Sequence, residues 1–367
     1  MPLTVHIIVA ARPNFMKAAP LFRELSRHDW CRPVLVHTGQ HYDADMSDVF
    51  FRDLGLPAPA HHLEIGSGSH AEQTAGVMVA YEKLCLRERP DWTVVVGDVN
   101  STVAATLAAK KLLIPVAHLE AGLRSGDRTM PEEINRIVTD AIADVLWTPS
   151  PDGDANLRRE GVAPEKIERV GNIMIDAFEL QRARIEAAGM PDKMKLAAGG
   201  YAVVTIHRPA NVDAREALAA VVDSLLAVAA KLPVVFPVHP RTRKQLDAFG
   251  LFQRLKAGPG IHLAQPMGYV DFMSLVRQAA CAITDSGGVQ EETSYLGIPC
   301  LTLRTTTERP ITVSQGTNRL VTVAKLAEAV EKVLAGAWPK GRAIEFWDGR
   351  TAPRVAASLA RIAGVKT

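Results

Sequence analysis

The chain has 367 residues, of which 47% are hydrophobic, so it is long enough for two domains of ordinary size with a core each. Its 42 basic and 40 acidic side chains nearly balance, which excludes the dense positive surface that nucleic-acid binding by counterion release requires. These numbers leave room for a small anionic ligand, because a few local basic groups are enough to bind one.

Short β-rich runs alternate with amphipathic segments through the first half of the chain. Strands are predicted at Val5–Ala10, Val34–Thr38, Thr93–Gly97, Val116–Glu120 and Val145–Thr148, and helices at Lys17–Arg27, Ala71–Arg89 and Ser101–Leu113. This alternation is typical of a parallel sheet with helices on both faces.

The same alternation restarts after Gly200. Strands are predicted at Ala202–Ile206, Val234–Val238, His262–Ala264, Ala282–Thr284 and Cys300–Leu303, and the terminal segment Pro353 to Val365 is predicted to be a helix. The polar, uneven region from Asn172 to Gly200 indicates the boundary between two doubly wound domains. We therefore expect an α/β protein with domains at 1–172 and 173–350, followed by a helix at 351–367.

The sequence lacks the patterns that are typical of membrane-spanning, exported, disulfide-bonded and metal-binding proteins. The apolar run from Val5 to Ala11 is too short for a membrane span of roughly 18 residues and leads into Arg12 and Pro13, so we interpret it as a buried strand and expect no export or membrane insertion. The four cysteines lack C-x-x-C spacing, which favours a reduced, cytoplasmic compartment. No ligand spacing indicates a metal, and no cofactor is expected.

The loop after the first predicted strand carries Arg12 and Lys17. A guanidinium and an ammonium at a strand end and helix start indicate a phosphate or carboxylate site, although a solvated turn with a proline near a helix start explains the same residues. No G-x-G-x-x-G follows this strand and no P-loop motif occurs in the chain, so the usual dinucleotide and P-loop interpretations lose their main support.

Three acidic segments follow in the same half of the chain. Asp98 and Glu120 each come at the end of a predicted strand, and Glu132 and Glu133 open a predicted helix after Pro131. A helix cap explains Asp98 taken alone, and glutamates are favoured in a first helical turn. Together, however, closely placed carboxylates shift one another's pKa, which suits proton donation by one and acceptance by another.

The second half places two histidines, His207 and His239, at the ends of successive predicted strands, each beside an arginine and a proline. A single histidine is more often structural. Two at successive strand ends indicate a functional site at that edge of the sheet.

The most specific segment of the second half is Asp285 to Glu292, D-S-G-G-V-Q-E-E. Ser286, Gly287 and Gly288 form a turn that opens a helix, where free N–H groups can hold a diphosphate by close backbone approach. Glu292 lies further along this helix, where a carboxylate can accept ribose hydroxyls. Arg309, after the next predicted strand, offers another guanidinium for phosphate.

These segments together resemble the non-hydrolysing UDP-N-acetylglucosamine 2-epimerases. The resemblance rests on A-R-P-N-F-M-K-A-A-P at 11–20, G-D-V-N-S-T at 97–102, H-L-E-A-G-L-R at 118–124, P-E-E-I-N-R at 131–136, D-S-G-G-V-Q-E-E at 285–292 and T-E-R-P at 307–310. The motifs run in order from the first strand to about Leu320.

The resemblance implies a GT-B type fold, with two Rossmann-like doubly wound domains, an interdomain cleft and a final helix that returns to the first domain. It implies a homodimer that interconverts UDP-N-acetylglucosamine and UDP-N-acetylmannosamine for bacterial surface polysaccharide, by elimination and re-addition of UDP through 2-acetamidoglucal. Carried over by motif, the catalytic candidates are Asp98, Glu120, Glu132 and His207, and the UDP-binding candidates are Arg12, Lys17, His239, Ser286, Gly287, Gly288, Glu292 and Arg309.

Three departures from the family pattern are visible. The H-R-R-E-N stretch of many members is H-R-P-A-N at 207–211, the T-E-R-P-E stretch ends in Ile311, and the Q-H-R segment of substrate-activated members is Q-H-Y at 40–42. We therefore expect substrate activation to be absent or altered.

Other functions share parts of this sequence pattern. A 2-epimerase of a modified sugar, such as UDP-2,3-diacetamido-glucuronate, stays open because it needs only an extra cation for the sugar carboxylate. A GT-B glycosyltransferase would share the fold and the UDP site, but the acidic cluster argues against it. The same retained carboxylates argue against a non-catalytic sensor, and a hydrolysing epimerase would differ only in how well it retains UDP and the glucal.

Overall fold

The computed structural model describes residues 1–10, 12–39 and 54–365, and at positions 12 and 13 it describes the backbone alone. The chain divides into two compact units, Met1–Leu180 with Glu345–Thr367, and Gln181–Ile344. The sequence analysis placed the change of domain after residue 172 and the return of the chain at residue 351, whereas the units change after Leu180 and at Glu345.

The first unit is built on a parallel sheet. In chain order its strands are β1 (Leu3–Val9), β2 (Cys31–His37), β3 (His61–His62), β4 (Trp92–Val96), β5 (Val116–Leu119), β6 (Val145–Thr148) and β7 (Ile167–Arg169). The helices between and after them are α1 (Arg12–Leu25), α2 (His70–Arg87), α3 (Asn100–Lys111), α4 (Pro131–Ile142), α5 (Pro151–Arg159) and α6 (Ile173–Ala188). The strand order is β3-β2-β1-β4-β5-β6-β7, so the direction of winding reverses between β1 and β4.

The second unit repeats this plan with shorter strands. They are β8 (Ala202–Thr205), β9 (Val234–Pro237), β10 (Ile261–Ala264), β11 (Cys281–Thr284), β12 (Cys300–Thr302) and β13 (Asn318–Leu320), in the order β10-β9-β8-β11-β12-β13. The helices are α7 (Met190–Lys193), α8 (Pro209–Val212), α9 (Arg215–Ala229), α10 (Pro240–Ala248), α11 (Phe252–Lys256), α12 (Tyr269–Val276), α13 (Gly287–Leu296), α14 (Pro310–Ser314) and α15 (Leu326–Leu334). Winding reverses here between β8 and β11.

Burial explains why these segments form parallel strands. β4 reads Trp-Thr-Val-Val-Val and β9 reads Val-Val-Phe-Pro, and nearly every side chain in both is buried. Strands covered by helices on both faces have such continuous apolar runs. Helix ends follow local signals, as at α2, where Ser69 and Glu72 form a reciprocal capping box.

Each predicted strand is present, and the two parallel sheets with intervening helices confirm the predicted α/β class. The sequence analysis missed β3, β7 and β13. These strands have two or three residues each and lie at sheet edges, so they are too short to show a periodic pattern.

The last helix, α16 (Thr351–Ile362), belongs to the first unit and packs against α1. Its first N–H groups, those of Thr351 and Ala352, donate to the carboxylate of Asp176 at 3.0 and 2.8 Å. Trp147 of β6 donates from Nε1 to Ser358 Oγ at 2.9 Å. Side chains of β6 and α6 therefore fix both the start and the middle of this helix.

No helix within the described ranges is long and apolar enough to cross a membrane. All four cysteines are buried and carry free thiols.

Candidate active site

Each sheet brings its predicted site residues to the point where its winding reverses. In open parallel sheets this point leaves a crevice beyond the carboxyl ends of the strands, where ligands bind. In the first unit Lys17 lies on the helix after β1, Asp98 follows β4 and Glu120 follows β5. In the second unit His207 follows β8 and Asp285 follows β11.

Glu120 is constrained both in its backbone and in its side chain. Its backbone has φ +77°, a left-handed conformation that is uncommon for residues other than glycine. Its carboxylate forms an ion pair with Lys17 Nζ, and the two side chains are only 6% and 10% exposed. Lys17, predicted to hold phosphate, therefore directly contacts a predicted acid/base residue.

Gly97 lies directly against this ion pair. A Cβ atom at Gly97 would lie 3.4 Å from both Glu120 Oε2 and Lys17 Nζ and 3.6 Å from Asn14 Nδ2, and the residue has φ +69°. Asn14 in turn donates to the carbonyl of Val96 at 2.8 Å. The turn after β4 therefore favours glycine for its backbone conformation, and a side chain there would be in ordinary van der Waals contact with the ion pair.

Asp98, the next residue, is more accessible, with its side chain 31% exposed. Arg136 of α4 donates from Nε to Asp98 Oδ2 at 3.0 Å, and Asn135 donates to the Asp98 carbonyl at 2.9 Å. The P-E-E-I-N-R motif thus supports Asp98 through its last two residues.

The two glutamates of this motif differ in environment. Glu132, the predicted catalytic residue, is exposed at the start of α4. Glu133 is buried and accepts hydrogen bonds from the backbone N–H groups of Ser125 and Gly126, both at 2.9 Å, and from Arg136. Glu133 therefore fixes the loop before α4, while the Glu132 side chain is exposed to solvent.

The second unit is organised around Asp285, which the sequence analysis quoted only as part of a motif. This buried carboxylate accepts hydrogen bonds from the backbone N–H groups of His207 at 3.0 Å and Arg208 at 2.8 Å, and from Asn211 Nδ2 at 3.0 Å. Burial would raise the pKa of Asp285, but the contacts with His207 and Asn211 lower it below its ordinary value. Asp285 therefore holds the H-R-P-A-N loop as an anion.

The two predicted histidines are adjacent. Their ring centroids lie 5.2 Å apart, and His207 Nδ1 lies 3.0 Å from Asp285 Oδ1. His239 caps α10 by accepting a hydrogen bond from the N–H of Arg241 at 3.2 Å. Burial and the neighbouring His207 lower the pKa of His239, which favours a neutral ring that can act as this acceptor.

The S-G-G turn opens α13 with Ser286 at the N-cap position. A Cβ at Gly287 would lie 2.6 Å from Arg309 Nη1 and 2.9 Å from Glu308 Oε1, whereas a Cβ at Gly288 would meet no atom within 4 Å. Protein packing therefore accounts for the first glycine, whereas the backbone at the second glycine is open on the side where a Cβ would lie.

Glu292 and Arg309, both predicted to bind UDP, are buried. Tyr269 donates from its hydroxyl to Glu292 Oε1 at 2.7 Å, and burial raises the pKa of Glu292 to about 8. Arg309 Nε lies 2.8 Å from Glu291 Oε1, and Arg309 Nη1 lies 2.7 Å from Glu308 Oε1. Arg309 packs against Gly287 of the S-G-G turn, Glu292 is held by Tyr269, and the contact of both residues with UDP stays a prediction.

Gln290 is a further residue that the sequence analysis did not single out. It is fully buried, donates to the Ser286 carbonyl at 3.1 Å, and accepts from Thr307 Oγ1 at 2.7 Å and Asn318 Nδ2 at 2.9 Å. It therefore ties the S-G-G turn to the T-E-R-P segment. Its place between Gly288 and Glu292 was visible in the motif, but its partners were not.

Two sets of predicted residues lie outside what is described here. The side chain of Arg12 and the Gln40 to Tyr42 segment are both outside the described part of the chain. Among the described residues no cluster of three or more His, Cys, Asp or Glu side chains could hold a metal ion.

One groove of the second unit, about 990 Å³ in volume, does not coincide with these residues. It runs beside β10 and is lined by side chains such as Arg243, Lys244, Phe252 and His262. None of the predicted site residues lines this groove. We therefore locate the candidate site at the strand ends, where the acidic and basic side chains cluster, and not in the groove.

Comparison with known proteins identifies the family. Residues 23–360 match the family described as UDP-N-acetylglucosamine 2-epimerase. UDP-N-acetylglucosamine 2-epimerase of Methanocaldococcus jannaschii is 43% identical over 342 residues, which cover 90% of this chain and 92% of that protein. UDP-2,3-diacetamido-2,3-dideoxy-D-glucuronate 2-epimerase of Pseudomonas aeruginosa is 37% identical over an alignment of 372 positions, which covers 98% of this chain and 100% of that protein.

A solved structure extends the likeness to the whole fold. The crystal structure of the M. jannaschii enzyme in complex with UDP-GlcNAc and UDP has a TM-score of 0.88 and 40% identity, and the alignment covers 98% of this chain and 100% of that one. The predicted GT-B type fold with two Rossmann-like units is thereby confirmed. The chain is an isomerase that belongs to the UDP-N-acetylglucosamine 2-epimerase family.

Proposed function

We propose that this chain interconverts UDP-N-acetylglucosamine and UDP-N-acetylmannosamine by inverting C2 of the sugar. The observation that carries the proposal is the arrangement around Gly97, where Asp98 follows directly in the chain and the Lys17–Glu120 ion pair lies against the glycine. Two carboxylates from adjacent strands, with a cation beside one of them, suit removal of a weakly acidic proton and its return.

The proposed reaction proceeds by elimination and re-addition. A base removes the C2 proton, the C1–O bond breaks so that UDP leaves with the electron pair, and 2-acetamidoglucal remains. UDP then re-adds at C1 while C2 receives a proton on the opposite face. We assign the proton transfers to the set Asp98, Glu120 and Glu132, with His207 as a further candidate, because their residue types can each accept or donate a proton.

The second unit is proposed to bind UDP. Departing UDP develops negative charge, which the N–H groups at the start of α13 and nearby cations can stabilise. The candidates from this unit are Ser286, Gly287, Gly288, His239 and Arg309 for the diphosphate and Glu292 for the ribose, joined by Arg12 and Lys17 of the first unit. The absence of steric hindrance at Gly288 supports this assignment.

The test is an incubation of purified protein with UDP-N-acetylglucosamine in D2O, followed by proton NMR of C2. We expect UDP-N-acetylmannosamine with deuterium at C2, and a fall in rate of about 100-fold or more in Asp98→Asn, Glu120→Gln and Glu132→Gln. Glu165→Gln, at an exposed glutamate of the first unit, is the matched control and should retain full activity. Bound UDP without any product or exchange would refute the proposed substrate.

A second substrate has a specific observation in its favour. The relative from P. aeruginosa named for UDP-2,3-diacetamido-2,3-dideoxy-D-glucuronate covers 98% of this chain. The same NMR assay with that sugar nucleotide decides between the two, because the preferred substrate will have the higher kcat/KM. The glycosyltransferase alternative loses its support, since the chain belongs to an epimerase family.

The predicted homodimer and the role in surface polysaccharide synthesis are kept as proposals drawn from the family. Light scattering coupled to size-exclusion chromatography tests the first. A mass near twice 39.7 kDa is expected for the dimer, and a mass near 39.7 kDa would contradict it.

A further inference from the structure

His118, the third residue of β5, is completely buried, and both nitrogens of its ring are engaged. Nε2 lies 2.8 Å from the carbonyl oxygen of Gly97, and Nδ1 lies 2.6 Å from Asp140 Oδ1. A carbonyl oxygen only accepts hydrogen bonds, so Nε2 is protonated and its N–H donates a hydrogen bond to the carbonyl oxygen of Gly97. The ring therefore connects the turn after β4 to helix α4.

Asp140 extends the connection to the other side of Glu120. Its second oxygen accepts from the N–H of Gly122 at 3.0 Å and lies 2.7 Å from Arg124 Nη1. Burial would raise the pKa of Asp140, but His118 and Arg124 lower it below its ordinary value. One buried carboxylate thus fixes the residues two positions before and two positions after Glu120.

The segment between these anchors is strained. A non-glycine residue in the left-handed region costs about 1–3 kcal/mol and persists only where the surroundings enforce it. Glu120, at φ +77°, is such a residue, and its own N–H and that of Ala121 both donate to the carbonyl of Trp147 at 3.1 Å. The hydrogen bonds of His118 and Gly122 with Asp140 further hold this segment in the left-handed conformation at Glu120.

Gly97 is held equally firmly. Its N–H donates to the carbonyl of Leu119 at 3.1 Å, and its carbonyl accepts from His118. Since the peptide bond to Asp98 begins at that carbonyl, the His118 ring sets the orientation of the peptide plane from which Asp98 projects. The same peptide lies beside the carboxylate of Glu120.

We propose that His118 and Asp140 form a positioning pair, which joins the ends of β4 and β5 and holds Asp98 and Glu120 in the arrangement that proton transfer requires. Both side chains are buried, so we assign them a positioning role and no contact with the sugar. The proposal rests on the proposed function and assigns the pair an effect on kcat, with little effect on substrate affinity.

Two substitutions of His118 separate the contacts of its ring. Asn places an amide near the position of Nδ1 and keeps the contact with Asp140, whereas Gln places one near Nε2 and keeps the contact with Gly97. We expect kcat to fall about 100-fold in His118→Asn and less than about 10-fold in His118→Gln, with KM within about threefold of wild type in both. Equal kcat values in the two variants would overturn the proposal.

Two variants of Asp140 test the same proposal independently, in case the His118 variants fold poorly. In Asp140→Asn the amide can donate to Nδ1 and its oxygen can accept from Gly122, so the ring still donates to Gly97, whereas Asp140→Ala removes every contact. We expect about 100-fold lower kcat in Asp140→Ala and at most about 10-fold lower kcat in Asp140→Asn. Wild-type kcat in Asp140→Ala, or equal losses in both, would contradict a positioning role.

Amide hydrogen exchange separates failure of this proposal from failure of the proposed function. Exchange at Gly97 and Asp98 should be faster in His118→Asn than in wild type and near wild type in His118→Gln, whatever the substrate is. Unchanged exchange in His118→Asn would refute the positioning pair alone, and a wild-type protein without C2 deuteration would refute the function alone.

Discussion

Lys17 and Glu120 form an ion pair that is almost completely withdrawn from solvent and links the first helix to the residue after β5. Removing two charges from water is costly, so such a pair adds little net stability, whereas losing one partner leaves an uncompensated buried charge. The pair therefore makes each of its members structurally dependent on the other.

A double-mutant cycle should show this dependence. Lys17→Met is expected to lower the free energy of unfolding by about 3–5 kcal/mol, because the buried Glu120 carboxylate loses its ion pair with Lys17. The double variant Lys17→Met with Glu120→Gln should be more stable than Lys17→Met alone. Urea unfolding of the four proteins gives the coupling energy, and strictly additive losses would show that the two side chains act independently.

Gly287 and Gly288 should respond differently to the same substitution. Alanine at Gly287 would overlap the buried Arg309 and Glu308 side chains, so Gly287→Ala should destabilise the second unit. Gly288→Ala meets no atom within 4 Å and gains helix propensity of up to about 1 kcal/mol. Its stability should be unchanged or higher, while its Kd for UDP rises about 10-fold or more if the diphosphate approaches this backbone.

Urea unfolding and calorimetric titration with UDP measure both effects on the same samples. Gly297→Ala provides a control for helix α13, since the residue ends that helix at φ +73° and a side chain there adds strain without touching the turn. Wild-type UDP affinity in Gly288→Ala would remove this glycine from the proposed diphosphate site.

The site residues that directly follow a buried strand could be predicted from the sequence. Asp98, Glu120 and His207 could be placed because each follows a recognisable buried strand, and parallel strands deliver their following loops to one edge. The partners of these residues could not be predicted. Asp140 is separated from His118 by a turn and most of a helix, and nothing in the sequence marks which side of α4 contacts the sheet.

The environment of several single residues also could not be predicted from the sequence. A glutamate is rarely found in a left-handed conformation, so the strain at Glu120 has no sequence signal. Arg309 was predicted to offer a guanidinium to phosphate, and the sequence did not indicate that this guanidinium is buried beside Glu291 and Glu308. Adjacent glutamates at 132 and 133 had the same helix-start explanation, and only the packing of α4 separates an exposed residue from a buried anchor.

The buried carboxyl of Glu292 should make stability depend on pH. Its pKa is raised from 4.5 to about 8, so the stability it permits is fully present below pH 4.5 and is lost as the pH rises through 8. Over this range the wild type should lose up to about 5 kcal/mol relative to Glu292→Gln, which has no proton to lose. Urea unfolding at pH 5.0, 6.5 and 8.0 measures the difference.

Tyr269→Phe supplies the matched control for this titration. The Tyr269 hydroxyl donates to Glu292 and favours the ionised form, so its removal should steepen the loss of stability toward pH 8. A stability difference between wild type and Glu292→Gln that is the same at all three pH values would show that Glu292 is ionised throughout.

The return of the chain to the first unit should depend on Asp176. This carboxylate accepts hydrogen bonds from the first two N–H groups of α16 and therefore acts as its N-terminal cap, although it lies far away in sequence. Asp176→Ala leaves both donors buried without an acceptor and should lower the free energy of unfolding by about 2 kcal/mol, while Asp176→Asn, which keeps one acceptor oxygen, should lose about half of that.

Asp348→Ala is the control, because Asp348, 44% exposed, pairs with Arg354 of α16 and a surface pair of this kind contributes less than about 1 kcal/mol. Amide exchange in α16 should therefore increase in Asp176→Ala and stay near wild type in Asp348→Ala. Equal exchange in the two variants would mean that the apolar packing of α16, and not its cap, fixes the helix in place.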